Sequence, residues 1–433
     1  MTTLLAFLFV LGVLVFIHEA GHFLMARWHG VRVITFSLGF GPKLLKWQRG
    51  DTEYCISAVP LGGYVKLAGE TVEEERTGAP DEFMSKSKWV RFQVYLMGPV
   101  MNVVLALVLT TVVLYAGAEV PLWNSSTPVI GQIAAGSAAE QAGLQVGDTI
   151  LSLSGKPVQT WDDVLTAVAP KANQSLPITV DRAGERYTTT IVPASQTKYE
   201  FGDLGVAAVF RPQVKLVTKN SPSEHGGLKV DDVILGVDDQ RALSQPKIIE
   251  YIRAHPKQPI AFHVERAGQP QDLTIVPNDS GPDGVGQIGA QIQVGETKRI
   301  DPTFVQAIKM SGQQNWEQSA LIVTTLKGLF TRETPVKQLM GPVAIAELSG
   351  EFASLGVISL LGFMSMISLN LGLMNLFPIP ILDGGHIAIL ALEGISRRDF
   401  SIKVKERILF AGFAVIMLLM VTVIYNDVAR IFR

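Results

Sequence analysis

Residues able to do chemistry are few in this chain, and the first of them sit where polar groups are costly. His18-Glu19-Ala20-Gly21-His22 places two imidazoles four residues apart, inside an apolar run that starts near Thr3 and ends at about Ala26. On a helix, positions four apart are separated by only roughly 40° about the axis, so both rings face one way and can bind one metal ion. Imidazole is a good zinc ligand. Glu19 stands beside the rings and can take a proton from an attacking water. Ala20 and Gly21 leave space at the helix surface. The HExxH pattern is short and arises by chance in soluble helices. Its position argues for function here, because ionisable groups inside a membrane span are expensive and functional by default.

A catalytic zinc takes three protein ligands and keeps one position open. The best third donor is Asp383, in the string Asn375-Leu376-Phe377-Pro378-Ile379-Pro380-Ile381-Leu382-Asp383-Gly384-Gly385. Pro378 and Pro380 cannot continue a regular helix. Non-helical backbone at membrane depth is tolerated only inside protein or along a wet cavity. A carboxylate that follows such a break is costly unless it binds something. Two alternatives stand beside this reading: Asp383 as an interfacial helix N-cap, and His386 as the ligand instead.

Positioning these groups requires membrane helices. The chain has 433 residues with 18% charged, against roughly 25% in ordinary soluble chains. Its apolar excess lies in long runs, which exclude disorder for most of the chain. Net charge is −2, which excludes a strongly basic nucleic-acid binder, and the single cysteine, Cys55, excludes an intrachain disulfide and a cysteine zinc cluster. Four stretches are near or above the length a bilayer requires: Thr3 to Ala26, Phe92 to Ala118, a third between Glu351 and Asp383, and Ile408 to Tyr425 as the shortest. The first lacks a basic leader and runs on into the histidines, so it reads as a span and not a cleaved signal peptide. Basic residues crowd the loops Met25 to Arg91 and Arg397 to Arg407, which places both in the cytoplasm, and both termini and the large central segment outside. Spans one and three then run in the same direction. The histidines lie late in span one, His18 being roughly 22 Å along it, and Asp383 ends span three. Both motifs fall toward the cytoplasmic side at comparable depth.

The central segment holds one unit written twice. Pro128 to Pro193 aligns without a gap on Pro212 to Pro277, at an offset of 84. Gly143-Leu144 matches Gly227-Leu228, Asp148 matches Asp232, and Arg182-Ala183-Gly184 matches Arg266-Ala267-Gly268. Each unit reads as alternating short strands and helices, and it resembles a PDZ domain of the bacterial protease-associated kind. Such domains bind peptide ends by adding a strand to a sheet edge. A pure scaffold or size filter for the membrane part fits the sequence equally well.

HEAGH in the first span, NxxPxPxLDG in the third and the PDZ pair between them resemble the site-2 protease family of intramembrane zinc metallopeptidases, over nearly the whole chain. The fold implied is a multi-pass α-helical membrane protein of four transmembrane helices, with a membrane-associated β loop and two extracytoplasmic PDZ-like α+β domains. The expected divisions are 1–118, 119–210, 211–298, 299–351 and 352–433. By the resemblance, His18, His22 and Asp383 hold Zn2+, Glu19 is the general base, and Asn375 and Asn370 occupy asparagine positions tied to substrate or the oxyanion. Gly98-Pro99-Val100-Met101-Asn102 matches a further family pattern; on its own chemistry it means close helix packing at Gly98 and a polar contact from Asn102.

The alternating segment Val31 to Leu67 reads as a hairpin-like sheet, either a plain membrane-surface sheet or one whose edge at Gly62-Gly63-Tyr64 holds substrate extended. Cys55 there is a packing residue. Phe304 to Phe330 and Gly341 to Ala344 suggest amphipathic helices on the outer surface. Glu73, Glu74 and Glu75 with Asp81 and Glu82 read as a solvated acidic linker.

The function expected is cleavage within the transmembrane segment of a single-span protein already trimmed outside, in a bacterial inner membrane. The resemblance implies an anti-sigma factor or remnant signal peptides as substrate. The other classes are a membrane metallohydrolase with a different substrate and a PDZ scaffold with a residual metal site. The lipid bilayer and peptide C-termini are the further partners expected, and no nucleic acid.

Overall fold

A computed structural model describes residues 2–70, 77–195, 201–241, 243–279, 284–331 and 339–431. The chain divides into two units, Met1–Ala118 with Asp301–Arg433, and Glu119–Ile300.

The first unit is helical and apolar. Its helices Thr2–Trp28, Lys88–Tyr115, Val357–Asn375 and Ile402–Ile431 include four segments long and apolar enough to cross a membrane. Helices in lipid gain little by burying apolar surface against one another, so small residues and interhelical hydrogen bonds hold them. A Cβ on Gly21 would lie 2.5 Å from the Met97 carbonyl oxygen, and one on Gly372 would lie 2.9 Å from that of Pro99. The first and second helices, and the second and third, therefore touch backbone to backbone. Hydroxyls lock the second contact: Ser368 donates to the Asn102 carbonyl at 2.8 Å, Ser365 donates to the Ala106 carbonyl at 2.9 Å, and Thr110 and Ser365 share a bond of 2.6 Å.

Three expectations need correction here. The fourth span is not the shortest: its helix has 30 residues and the third has 19. Charged residues at its ends hid its length from an apolar count. Helix Phe304–Phe330 is not simply laid on a surface with its polar side to water. Ser311 donates to the Leu107 carbonyl at 2.8 Å, and the buried Asn315 donates to Thr110 Oγ1 at 3.1 Å, so part of its polar side faces the second span. Glu82 is not solvated either. It is buried and accepts from the Thr77 amide and hydroxyl and the Gly78 amide, which closes the loop onto itself. Asp81 pairs with Arg32 at 2.9 Å. Glu73, Glu74 and Glu75 lie outside the described residues.

Between the first two spans, strands Val33–Arg49 and Thr52–Leu67 form a folded hairpin. Residues 35–38 pair on one side with Lys66 to Gly63, and on the other with Glu53 to Ile56. Among the described residues no further strand pairs with 63–67. Cys55 is buried with its Sγ toward the Phe36 carbonyl. Phe36 packs edge-on against Phe16 and Phe23 of the first helix.

The second unit carries the duplication in atomic detail. Each half has its own core, one around Ile150, Trp161 and Ile178, the other around Ile234, Ile248 and Phe262. In the first half Arg182 grips the buried Asp148 with two bonds of 2.8 Å and donates to the Gly143 carbonyl at 2.8 Å. In the second, Arg266 grips the buried Asp232 at 2.7 and 2.6 Å and donates to Gly227 at 2.8 Å.

The Arg182 guanidinium, helped by the Gln145 amide, holds the Asp148 carboxyl below the usual carboxylate range. A depressed folded-state pKa stabilises above the unfolded value, about 3.9, and that stability is lost as pH falls toward the folded value. Hydrogen exchange of strands Thr149–Leu153 and Leu176–Arg182 in the intact chain should therefore keep its protection down to about pH 4. Protection should fall below that, and Asp148→Asn should flatten this acid limb. An unchanged limb in the variant would remove Asp148 as its cause.

Candidate active site

The first helix brings His18 and His22 onto one face, as their spacing requires. Their Nε2 atoms lie 3.2 Å apart. Asp383 meets both, its Oδ2 3.1 Å from His18 Nε2 and its Oδ1 3.5 Å from His22 Nε2. Tetrahedral zinc with bonds of about 2.0–2.1 Å would hold its ligand atoms roughly 3.3 to 3.4 Å apart. The three side chains already stand near that spacing, and two imidazoles with a carboxylate are a zinc donor set.

Span two supplies the wall behind the rings. Val94, Gly98 and Asn102 recur every four residues and so form one stripe. The Val94 carbonyl lies 2.8 Å from His22 Nδ1, and Asn102 Nδ2 lies 3.2 Å from His18 Nδ1. A Cβ on Gly98 would stand 2.2 Å from His22 Nε2 and 2.9 Å from His18 Nε2. The space a methyl would fill is therefore the space in front of the two metal-facing nitrogens. Pro99 follows at once, and its missing N–H leaves the Tyr95 carbonyl, next to that of Val94, without its helical donor.

Asp383 is the first residue of the helix Asp383–Ile395, whose N-cap position is held by Leu382. The Asp383 carboxylate is turned to the histidines, which removes the N-cap alternative. The preceding turn is wound tightly: Ile381 has φ of 86°, an unfavourable conformation for a β-branched residue. Glycines make the turn possible. A Cβ would lie 2.2 Å from the Leu376 carbonyl oxygen at Gly384, 2.3 Å from that of Ile379 at Gly385, and 2.3 Å from that of Pro380 at Gly412 of the fourth helix.

His386 is not in the cluster. Its ring stacks on Tyr95 at 4.7 Å between centroids, while the group able to share a metal is His18, His22 and Asp383. Glu19 is half-buried beside them. Strand Thr52–Leu67 covers it: a Cβ on Gly63 would lie 3.1 Å from Glu19 Cγ and 2.7 Å from the Ser37 carbonyl oxygen. Gly62 has φ of 139° and lies under the Phe40 ring, which stacks on Tyr64 at 6.1 Å. Asn375 is half-buried and Asn370 exposed. The contact of Val94 with His22 and the Pro380–Gly412 contact went unread in the sequence. The four-residue stripe through Gly98 and Asn102 was the available signal for the first, and nothing local marks the second.

Two imidazoles and a carboxylate able to share a metal ion, with a further carboxylate at their side among helices long and apolar enough to cross a membrane, are the parts of a membrane metallohydrolase. The model of peptidase family M50 matches residues 6–419, and the chain belongs to that family, the site-2 protease family of zinc metalloproteases. A Vibrio cholerae protein provisionally named a zinc metalloprotease is 34% identical over 99% of this chain and 98% of its own. Regulator of sigma-E protease RseP of Escherichia coli is 33% identical over 99% of this chain and 98% of its own. Protease RseP of Yersinia pestis is 32% identical over 99% of each.

Proposed function

We propose that this chain hydrolyses a peptide bond within the transmembrane segment of a single-span inner-membrane protein that has been trimmed on its outer side. The observation that carries the proposal is the convergence of His18, His22 and Asp383 within hydrogen-bonding distance of one another, with Glu19 alongside, inside apolar helices. His18, His22 and Asp383 would hold zinc, which supplies a Lewis acid that lowers the pKa of water and polarises the scissile carbonyl. Glu19 takes the proton from the attacking water and returns it to the leaving amide nitrogen. Gly63 keeps the wall beside Glu19 at backbone height. The strand edge at Gly62-Gly63-Tyr64 pairs with the unwound substrate, whose amides are hidden until it leaves the helical form. Asn375 contributes to the oxyanion site, and Asn370, which faces away from the packed side of its helix, meets the substrate chain.

The name of the E. coli relative connects it with sigma-E regulation. We carry this over as a substrate class, a membrane-anchored anti-sigma factor, with remnant signal peptides as a second class. The basic loops place the site toward the cytoplasm and the duplicated unit, read as two PDZ domains, outside.

Asp383→Asn tests the ligand set. Purified protein should lose zinc by tenfold or more in affinity, while His386→Ala keeps it within a few-fold. Full zinc on the first variant with loss on the second would move the third ligand to His386.

A further inference from the structure

Both histidines turn their Nε2 atoms to the cluster, so each Nδ1 points away and needs its own partner. A neutral imidazole that ligates through Nε2 carries its proton on Nδ1, and that N–H has to meet an acceptor. His22 has one in the Val94 carbonyl at 2.8 Å, which is backbone and survives any substitution there. His18 depends on a side chain: among the described residues, Asn102 is the hydrogen-bonding neighbour of its Nδ1, at 3.2 Å. Asn102 is wholly buried, and its Oδ1 has no hydrogen-bond partner. An unpartnered amide oxygen in apolar surroundings is costly. The two ends of an amide have the same shape and are told apart by their bonds. Exchanging them brings Oδ1 to the His18 N–H, which gives the ring's donor its acceptor and puts the amide nitrogen where the oxygen stood. The backbone of Asn102 is fixed independently, because its carbonyl accepts from Ser368 at 2.8 Å.

We propose that Asn102 is a positioning residue whose amide oxygen accepts from the Nδ1–H of His18 and so holds that ring with Nε2 free to bind the metal. This rests on the reading of His18 as a zinc ligand. It goes beyond that reading by giving span two a chemical part in the site. Loss of such an outer partner typically costs 10- to 100-fold in metal affinity.

The test measures zinc affinity by chelator competition on the full-length protein in a Glu19→Gln background, where cleavage is strongly slowed. Asn102→Leu, which keeps the volume and removes the acceptor, should bind zinc roughly 10- to 100-fold more weakly. Asn102→Asp, which keeps the acceptor, should bind within a few-fold of the parent. Asn102→Ser, too short to reach the ring, should match the leucine variant and decides the matter if that variant does not fold. Parent-like affinity in the leucine or serine variant overturns the proposal. Equal weakening in the aspartate variant also overturns it, since the side chain would then act by packing alone. A parent that binds no zinc would sink the metal-site reading itself, and this proposal with it.

Discussion

Purified Glu19→Gln should carry zinc as the unsubstituted protein does and cleave a trimmed single-span substrate roughly 10²- to 10⁴-fold more slowly, the range a positioned general base contributes. The reasoning is geometric. His18, His22 and Asp383 are the three donors proposed for zinc, so on that reading the glutamate is not needed to hold the metal. Gln is isosteric with Glu, so its contact with Gly63, where a Cβ would lie 3.1 Å from Glu19 Cγ, is kept. What disappears is the capacity to accept a proton. Metal analysis and single-turnover cleavage on one preparation check both halves. Cleavage within a few-fold of the parent would remove Glu19 from the mechanism. Loss of zinc together with activity would make it a ligand and not a base.

Gly98→Ala should be nearly as damaging, although residue 98 carries no functional group. The added methyl would stand 2.2 Å from His22 Nε2 and 2.9 Å from His18 Nε2. Neither side can yield easily. The first helix is already in backbone contact through Gly21 and Met97, and His22 is held from behind by the Val94 carbonyl. The rings would have to turn, and zinc affinity should fall by about 100-fold or more, with cleavage lost in proportion. Overpacking should also cost about 1–3 kcal/mol of stability, so zinc is measured on protein whose melting transition remains cooperative. Gly12→Ala is the matched control: it lies in the first span, and nothing stands within 4 Å of its Cβ position. Equal zinc affinity in Gly98→Ala and Gly12→Ala would show that the space before the rings is not the metal site.

Much of the site is legible in the residues themselves, because its first part is local. The helical period brings His18 and His22 to one face whatever else the chain does. The proline break before Asp383 marks a carboxylate at the end of an apolar span, and with one span between them spans one and three run the same way, so that the motifs can meet. The choice between Asp383 and His386 could not be made that way. Both lie at the start of one helix, and only packing shows His386 stacked on Tyr95 and Asp383 turned to the rings.

Helix 304–330 shows the same limit from another side. Its polar residues predict a wet surface, yet Ser311 and Asn315 are spent on the second span. A hydrophilic side chain identifies a face that needs partners without saying whether water or protein provides them. Glu82 is a small case of this, with Thr77 and Gly78 standing in for solvent.

The sequence by itself determined the chemistry available to this protein: two imidazoles able to share a metal ion and a carboxylate on one apolar helix, a further carboxylate after a broken one, and a duplicated unit between them in the chain. Periodicity along a helix and the exclusion of unpaired charge from lipid are enough for that. The tertiary structure decided the wall of the site. That span two turns Val94, Gly98 and Asn102, and not another stripe, toward the histidines depends on how the helices rotate against one another. That rotation is set by the backbone contacts at Gly21 and Gly372 and the hydroxyls of Ser365 and Ser368, which act between segments far apart in the chain.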